Sequence, residues 1–355
     1  MHMADALLSP AVAATMYVAS GVAVGVSIKA LKKDDEMTKL PTMEVTAGLV
    51  FAGQMINYTL PGTGSSGHLC GGVLLSALLG PQAGFLSMVV ILAIQALFFA
   101  DGGLLALGAN CWNMAFYGCF IGYYLIWKPI MRSRLFEGKK NAERIRVALA
   151  SVLGCVITLQ MGAFSVVLET TASGITELPF GAFAGVMQPI HLAIGLIEGL
   201  ITSAVLLFVY EARPELLMEA GGVQTDGKQR FSLKKVLFTL AVLTVLTGGC
   251  FSYFASGAPD GLEWSMFGNS EAGYSDNMAL DEEDYGISNQ ASATAEKVQE
   301  HTAFLPDYAF RSSDSAAGTG ISGLIGSAIV AAVAVLICMM GGFFRKKGRH
   351  CEGAE

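Results

Sequence analysis

AGFLSMVVILAIQALFFA, residues Ala83 to Ala100, carries no charged side chain, and Ser87 and Gln95 are its polar interruptions. A helix through a bilayer needs roughly 20 predominantly apolar residues, and this run approaches that length. Similar runs flank it in both directions: Leu7–Ile28, Met43–Tyr58, His68–Gly80, Cys111–Trp127, Val147–Leu168, Ile190–Tyr210, Val236–Phe254 and Ile321–Phe344. With 53% hydrophobic and 14% charged residues, the chain falls outside the soluble globular class. The expected fold is an all-α polytopic membrane protein of nine spans. Gln54, Gln95 and Gln188, placed inside apolar runs, are expected to hydrogen-bond between helices.

Basic residues set the orientation. Four lie between Lys29 and Lys39, seven between Lys128 and Arg146, five between Arg213 and Lys235, and four between Arg345 and Arg349, together 20 of 22. If all nine segments cross and the N-terminus is extracytoplasmic, these clusters are all cytoplasmic, as is the C-terminus, and Lys297 and Arg311 remain outside. The third segment is short and Pro81 follows it. Were it re-entrant, everything after it would invert. The expected location is the plasma membrane. No basic n-region or small-residue cleavage site accompanies the first apolar run, so this helix is expected to stay, and Met1 is expected to be retained because the methionine-removing enzyme favours a small second residue and His2 is large.

On that topology the amino terminus, the GTGSSGH loop ending at His68 and the DGGLLALGAN loop starting at Asp101 share the outer face. A histidine at position two lets the α-amine, the His2 backbone nitrogen and His2 Nδ1 bind one ion through fused rings. A nitrogen from His68 completes a four-nitrogen plane. That geometry suits Ni²⁺ or Cu²⁺, whereas Zn²⁺ prefers a tetrahedron and Mg²⁺ or Ca²⁺ prefer oxygen ligands. Asp5, Asp101, Asn110 and Asn113 are candidates to balance charge or orient an imidazole around the ion, against helix capping and turn formation by the same residues. His191 and Glu198 are intramembrane ionisable residues and so secondary candidates, neither expected to ligate the ion. The seven cysteines show no CxxC pair and read as packing, as do the dispersed methionines.

Four stretches carry a resemblance: MHMADALLSP, GTGSSGHLCGGVLLSALLGP, QALFFADGGLLALGANCWNM and HLAIGLIEGLIT. Together they resemble the CbiM/NikM family, the substrate-binding membrane subunit of cobalt and nickel energy-coupling-factor transporters, over about the first 210 residues. The resemblance implies that Met1, His2 and His68 ligate the ion, and that a transmembrane coupling subunit and a cytosolic ATPase pair act with this chain. PDGLE at Pro259–Glu263 resembles the small accessory subunit of nickel transporters, fused here to the binding subunit. Expected boundaries are a seven-helix metal-binding module at 1–215, a connector at 216–235 and a two-helix accessory module at 236–355.

The external segment at 255–320 has twelve Asp or Glu residues between Asp260 and Asp314, including DEED at Asp281–Asp284. It reads as a solvated, partly disordered loop, with cation concentration near the site as the functional alternative. His301 within it reads as an exposed bystander. No Walker motif is present, so energy for transport has to come from partner proteins. The expected function is capture of Ni²⁺ as cargo, with Co²⁺ uptake for cobalamin biosynthesis as the alternative. No permanently bound cofactor and no nucleic acid are expected, and lipid surrounds the chain. An absent HExxH motif disfavours a membrane metalloenzyme, and a passive channel would need no ATPase.

Overall fold

The computed structural model describes residues 1–31, 40–138, 141–221, 231–270, 273, 278, 280, 285–311 and 316–352. Lys32, Lys33, Lys39, Lys139, Lys140, Lys228 and Arg230 lie outside the described residues, as do 222–230 of the connector and the DEED run.

Among the described residues the protein is predominantly helical. A single 3₁₀ turn at Asp5–Leu7 precedes α1 (Pro10–Leu31), which opens on a proline whose missing N–H costs nothing at that position. α2 (Leu40–Gln54) leads into a small antiparallel hairpin, β1 (Tyr58–Thr59) with β2 (Ser66–Gly67), and then into α3 (Gly72–Leu79) and α4 (Pro81–Phe99). α5 starts at Leu107–Asn110, continues through Cys111–Trp127 and ends with Lys128–Met131. Its middle is π-wound, closing with Lys128 N–H on the Tyr123 carbonyl five residues back, which makes it wider than an α-helix. Two long helices follow, α6 (Ala142–Ala172) and α7 (Phe180–Ala212). They run antiparallel, with Gly195 against Val156 and Gly199 against Val152.

The remaining elements are α8 (Pro214–Gly221), α9 (Leu233–Gly249), α10 (Gly261–Phe267), α11 (Gln290–Thr302) and α12 (Ala316–Glu352). α9 and α12 pack on each other and on α2. Gly248 and Gly323 meet backbone to backbone there, where a Cβ on Gly323 would lie 2.5 Å from the Gly248 carbonyl. Small residues of this kind let two helices approach closely in lipid.

α1, α4, α6, α7 and residues 317–334 of α12 are long and apolar enough to cross a membrane. α1 and α4 differ in what surrounds them. Val18, Val22 and Val26 of α1 are exposed, as suits a helix facing lipid, whereas most of α4 is enclosed by its neighbours.

Two expectations about the spans need correction. The first helix starts at Pro10 rather than Leu7, because the nine residues before it fold inward: Met3, Leu7 and Leu8 are fully buried. The third segment is not a helix over its whole length. Its helical part has eight residues, about 12 Å, well short of a roughly 30 Å hydrocarbon core. It nevertheless reaches the far end of the bundle. His68 and Asp101 both contact His2, and α4, about 28 Å long, separates Pro81 from the Asp101 end. The non-helical stretch before Gly72, ending in Gly71 with positive φ, makes up the difference.

Candidate metal centre

The site forms where the amino-terminal segment is pressed into the bundle. Met3 is pinned on both sides of its peptide: Met3 N–H donates to Asn110 Oδ1 at 2.8 Å, and its carbonyl accepts from Asn110 Nδ2 at 3.2 Å and Gly103 N at 2.9 Å. Gly103 permits this approach, since a Cβ there would lie 1.7 Å from Asp5 Oδ1. Asp5 in turn accepts from Ala106 N at 2.9 Å. Burying Met3, Leu7 and Leu8 contributes about 1.5–3 kcal/mol for each side chain, enough to offset drawing a polar terminus out of water.

That anchoring puts the α-amine of Met1 3.3 Å from His68 Nε2. His68 Nδ1 donates to the Leu69 carbonyl at 3.1 Å, which leaves the Nε2 lone pair facing the amine. The His2 ring stacks on His68 with centroids 5.3 Å apart and planes 23° from parallel. Adjacent nitrogens of a square-planar ion sit roughly 2.8 Å apart for metal–nitrogen bonds of about 2 Å, so the observed spacing is somewhat wider than a loaded site needs. Among the described residues no three His, Cys, Asp or Glu side chains converge as a metal-binding group. A four-nitrogen set at this place therefore has to draw on main-chain nitrogen, as the amine and His2 amide would supply.

The His2 ring lies between two oxygens. Nδ1 is 3.1 Å from Asp101 Oδ1 and Nε2 is 3.2 Å from Gln95 Oε1. Burial lowers its pKa below the ordinary 6.5, and the Asp101 carboxylate opposes that shift. Gln95 also donates to Gln54 Oε1 at 2.8 Å, and Gln54 donates to the Cys70 carbonyl at 2.8 Å, so an amide chain ties α4, α2 and the start of α3 together beneath His2.

The candidate residues thus divide. Met1, His2, His68 and Asp101 are brought together, and Asn110 holds Met3 beside them. Asp5 faces the Asp101 loop, and burial raises its carboxyl above the usual range. Asn113 donates to Glu169 Oε2 at 2.8 Å. Glu198 accepts from Gly71 N at 2.9 Å and so caps the approach to α3. His191 is buried, with Nδ1 donating to the Met187 carbonyl at 2.8 Å.

The external segment departs most from expectation. Among its described parts, the stretches around residues 259–266 and Tyr308 pack against the site, while Gln290–Thr302 is a largely exposed helix. Ser66 N–H donates to the Pro259 carbonyl at 2.8 Å, and Ser66 Oγ donates to the Ala258 carbonyl at 2.7 Å, so the accessory loop is bound to the GTGSSGH loop. Asp260 Oδ2 then lies 2.5 Å from the Met1 amine and 4.0 Å from His68 Nε2. Burial would raise the Asp260 carboxyl, but the amine and His68 override it and hold it well below the usual carboxylate range. From the other side Tyr308 donates to Asp101 Oδ2 at 2.5 Å, and Gln299 donates to the Gly102 carbonyl at 2.9 Å. His301 is exposed, as expected.

A cavity of about 980 Å³ opens over His2 and His68. Asp5, Asp101, Asp260, Glu263, Glu296 and Asp307 all border it, and the last four come from the external segment. Gln95, Asp260 and Tyr308 were not legible as site residues. Asp260 had a visible signal, because D-x-x-E is a capping-box pattern that predicts a fixed carboxylate at a helix start.

Comparison with known proteins is consistent along the whole chain. Residues 2–216 match the family described as cobalt uptake substrate-specific transmembrane region, and residues 234–341 match the PDGLE domain. A protein of Archaeoglobus fulgidus named for fused nickel transport is 32% identical over 94% of this chain and 96% of its own length. The fused nickel transport protein of Rhodobacter capsulatus is 30% identical, covering 61% of this chain and 64% of its own. The cobalt transport protein of Sorangium cellulosum, also 30% identical, covers 61% of this chain and 94% of its own. A crystal structure of a truncated transition metal transporter superposes with a TM-score of 0.51 at 30% identity, covering 59% of this chain and 99% of that one.

Proposed function

Because the chain belongs to the cobalt-uptake substrate-specific transmembrane family and is a multi-pass membrane protein of nickel and cobalt transport, we propose that it captures Ni²⁺ at the outer face for ATP-driven uptake. The carrying observation is the α-amine 3.3 Å from His68 Nε2 under the stacked His2 ring. Lined by carboxylates, the cavity raises the local concentration of divalent cations by its negative potential. An arriving ion takes the Met1 amine and the deprotonated His2 amide as ligands, takes His2 Nδ1 in place of Asp101, and closes on His68 Nε2. The amine and amide release protons in doing so. Asp101 and Asp260 then offset the charge that remains.

Nickel is favoured over cobalt by the accessory module: the match to the Archaeoglobus fulgidus relative named for fused nickel transport covers 94% of this chain and so includes that module, while the match to the relative named for cobalt transport covers 61% of it. The basic clusters support an extracytoplasmic amino terminus and a cytoplasmic carboxy terminus. The sequence lacks a phosphate-binding loop with its lysine, so the reading requires a transmembrane coupling subunit and a cytosolic ATPase pair as partners.

Uptake of radioactive nickel by cells expressing this chain tests the reading. Accumulation is expected when the partner ATPase is present and expected to vanish without it or in the His68→Ala chain. Equal accumulation with and without the ATPase would point to a passive channel and overturn it.

A further inference from the structure

The two oxygens of Asp260 have separate tasks. Oδ1 accepts from Leu262 N at 2.8 Å and Glu263 N at 2.9 Å, capping α10, while Glu263 Oε2 accepts from Asp260 N at 3.3 Å to complete a capping box. Oδ2 is left for the Met1 amine at 2.5 Å. The cap fixes the carboxylate, and the helix it starts is itself immobilised, since Gly261 lies flat on α7, where a Cβ would fall 2.7 Å from Ile194 Cδ1 and 3.0 Å from His191 Cε1. The loop ahead of it is bound to Ser66. A carboxylate held from three directions thus meets the amine of a terminus whose Met1 side chain is buried and whose Met3 peptide is held by Asn110.

We propose that Asp260 is a positioning residue supplied by the accessory module: it ion-pairs with the α-amine and holds Met1 over His68 before any ion arrives. Fusion of the module to the binding subunit thereby completes the site rather than merely accompanying it. The consequence for metal capture rests on the nickel reading above, but the tether does not. Removing it lets the terminus sample positions away from His68, and the fraction of chains ready to chelate falls, which lowers the apparent affinity in proportion.

Asp260→Asn isolates this role, because asparagine caps a helix about as well as aspartate but presents no carboxylate to the amine. The full chain, its Asp260→Asn and its Asp260→Glu variants are purified metal-free in detergent and treated with an amine-reactive ester near neutral pH, and Met1 modification is followed by peptide mass spectrometry. Asp260→Asn is expected to label about tenfold faster than the native chain, the change that 1.4 kcal/mol of lost tethering produces, and Asp260→Glu to fall between. Equal labelling of native and Asp260→Asn chains would overturn the proposal. Should the asparagine chain not fold, hydrogen exchange in residues 1–9 is compared between the native chain and one acetylated at Met1. Faster exchange on acetylation supports the tether, and unchanged exchange contradicts it. Ni²⁺ titration of the same proteins separates the two claims. A native chain that binds Ni²⁺ while labelling is indifferent to Asp260 leaves the metal reading standing without the tether. A labelling contrast in a chain that binds no Ni²⁺ leaves the tether without the metal reading.

Discussion

The GTGSSGH loop and the PDGLE segment reach the same amine from different modules, and they bring different chemistry. His68 offers a lone pair 3.3 Å from the Met1 nitrogen, and Asp260 offers a negative charge at 2.5 Å. Around His2 the amino-terminal module makes both ring contacts, through Gln95 of α4 and Asp101, and the accessory module enters through Tyr308, which donates to Asp101. The amino-terminal module supplies the nitrogens, the amide groups and the Asp101 carboxylate beside His2. The accessory module supplies the Asp260 carboxylate at the amine and the Tyr308 hydroxyl that holds Asp101. A metal site split this way can be damaged from either side, but the damage should differ in size.

The largest effect is expected from the nitrogen side. On the proposed site His68→Ala removes one of four ligands and should weaken Ni²⁺ binding by more than about 100-fold in an equilibrium titration, beyond the 10–100-fold typical of a group that only orients a ligand. Acid should act with similar force. On the proposed site the amine and the His2 amide each release a proton for every ion bound, so affinity should fall by close to 100-fold per pH unit while both are protonated in the free chain. A slope of one proton per ion would mean that the His2 amide stays protonated.

Groups that orient should cost less. Asp101→Asn, which removes the charge at His2 Nδ1, is expected to weaken binding by about tenfold. Gly103→Ala strikes the frame instead, since its Cβ would overlap Asp5 Oδ1, and should lower stability by about 1–3 kcal/mol, read as a drop in thermal midpoint with Ni²⁺ binding recovered at low temperature. Tyr308→Phe leaves Asp101 in place but loses its hydroxyl partner, and about a two- to threefold loss of affinity is expected, the lower end of the about 0.5–1.5 kcal/mol that one hydrogen bond contributes. If Tyr308→Phe proved as harmful as His68→Ala, the division between the modules would be wrong.

Much of the membrane frame was legible because lipid allows few solutions. The uncharged run at Ala83–Ala100 had to be a helix, and α4 is one; Gln95 and Gln54 had to find partners in that setting, and they bond each other. Met1, His2 and His68 could be grouped because a chelate needs only local spacing plus a shared membrane face. Residues outside such rules were hidden. Tyr308 meets Asp101 across 207 positions of sequence, and no periodicity encodes that contact. Asp260 looked like one of twelve acidic residues in a polar stretch, and its capping pattern announced a helix start without saying which amine would face it. Nor does composition separate a π-wound helix from an α-helix in α5, since both bury an apolar face.

The central claim is that the amine itself is a ligand. It is tested most directly by absorption-monitored Ni²⁺ titration of the detergent-purified protein, comparing the native terminus with a chain carrying one extra glycine before Met1. The account predicts one ion per native chain, with the visible band of square-planar Ni²⁺, and loss of that band in the extended chain. Identical binding and spectra in both would contradict it and shift the search to side chains around His68, Asp101 and His191.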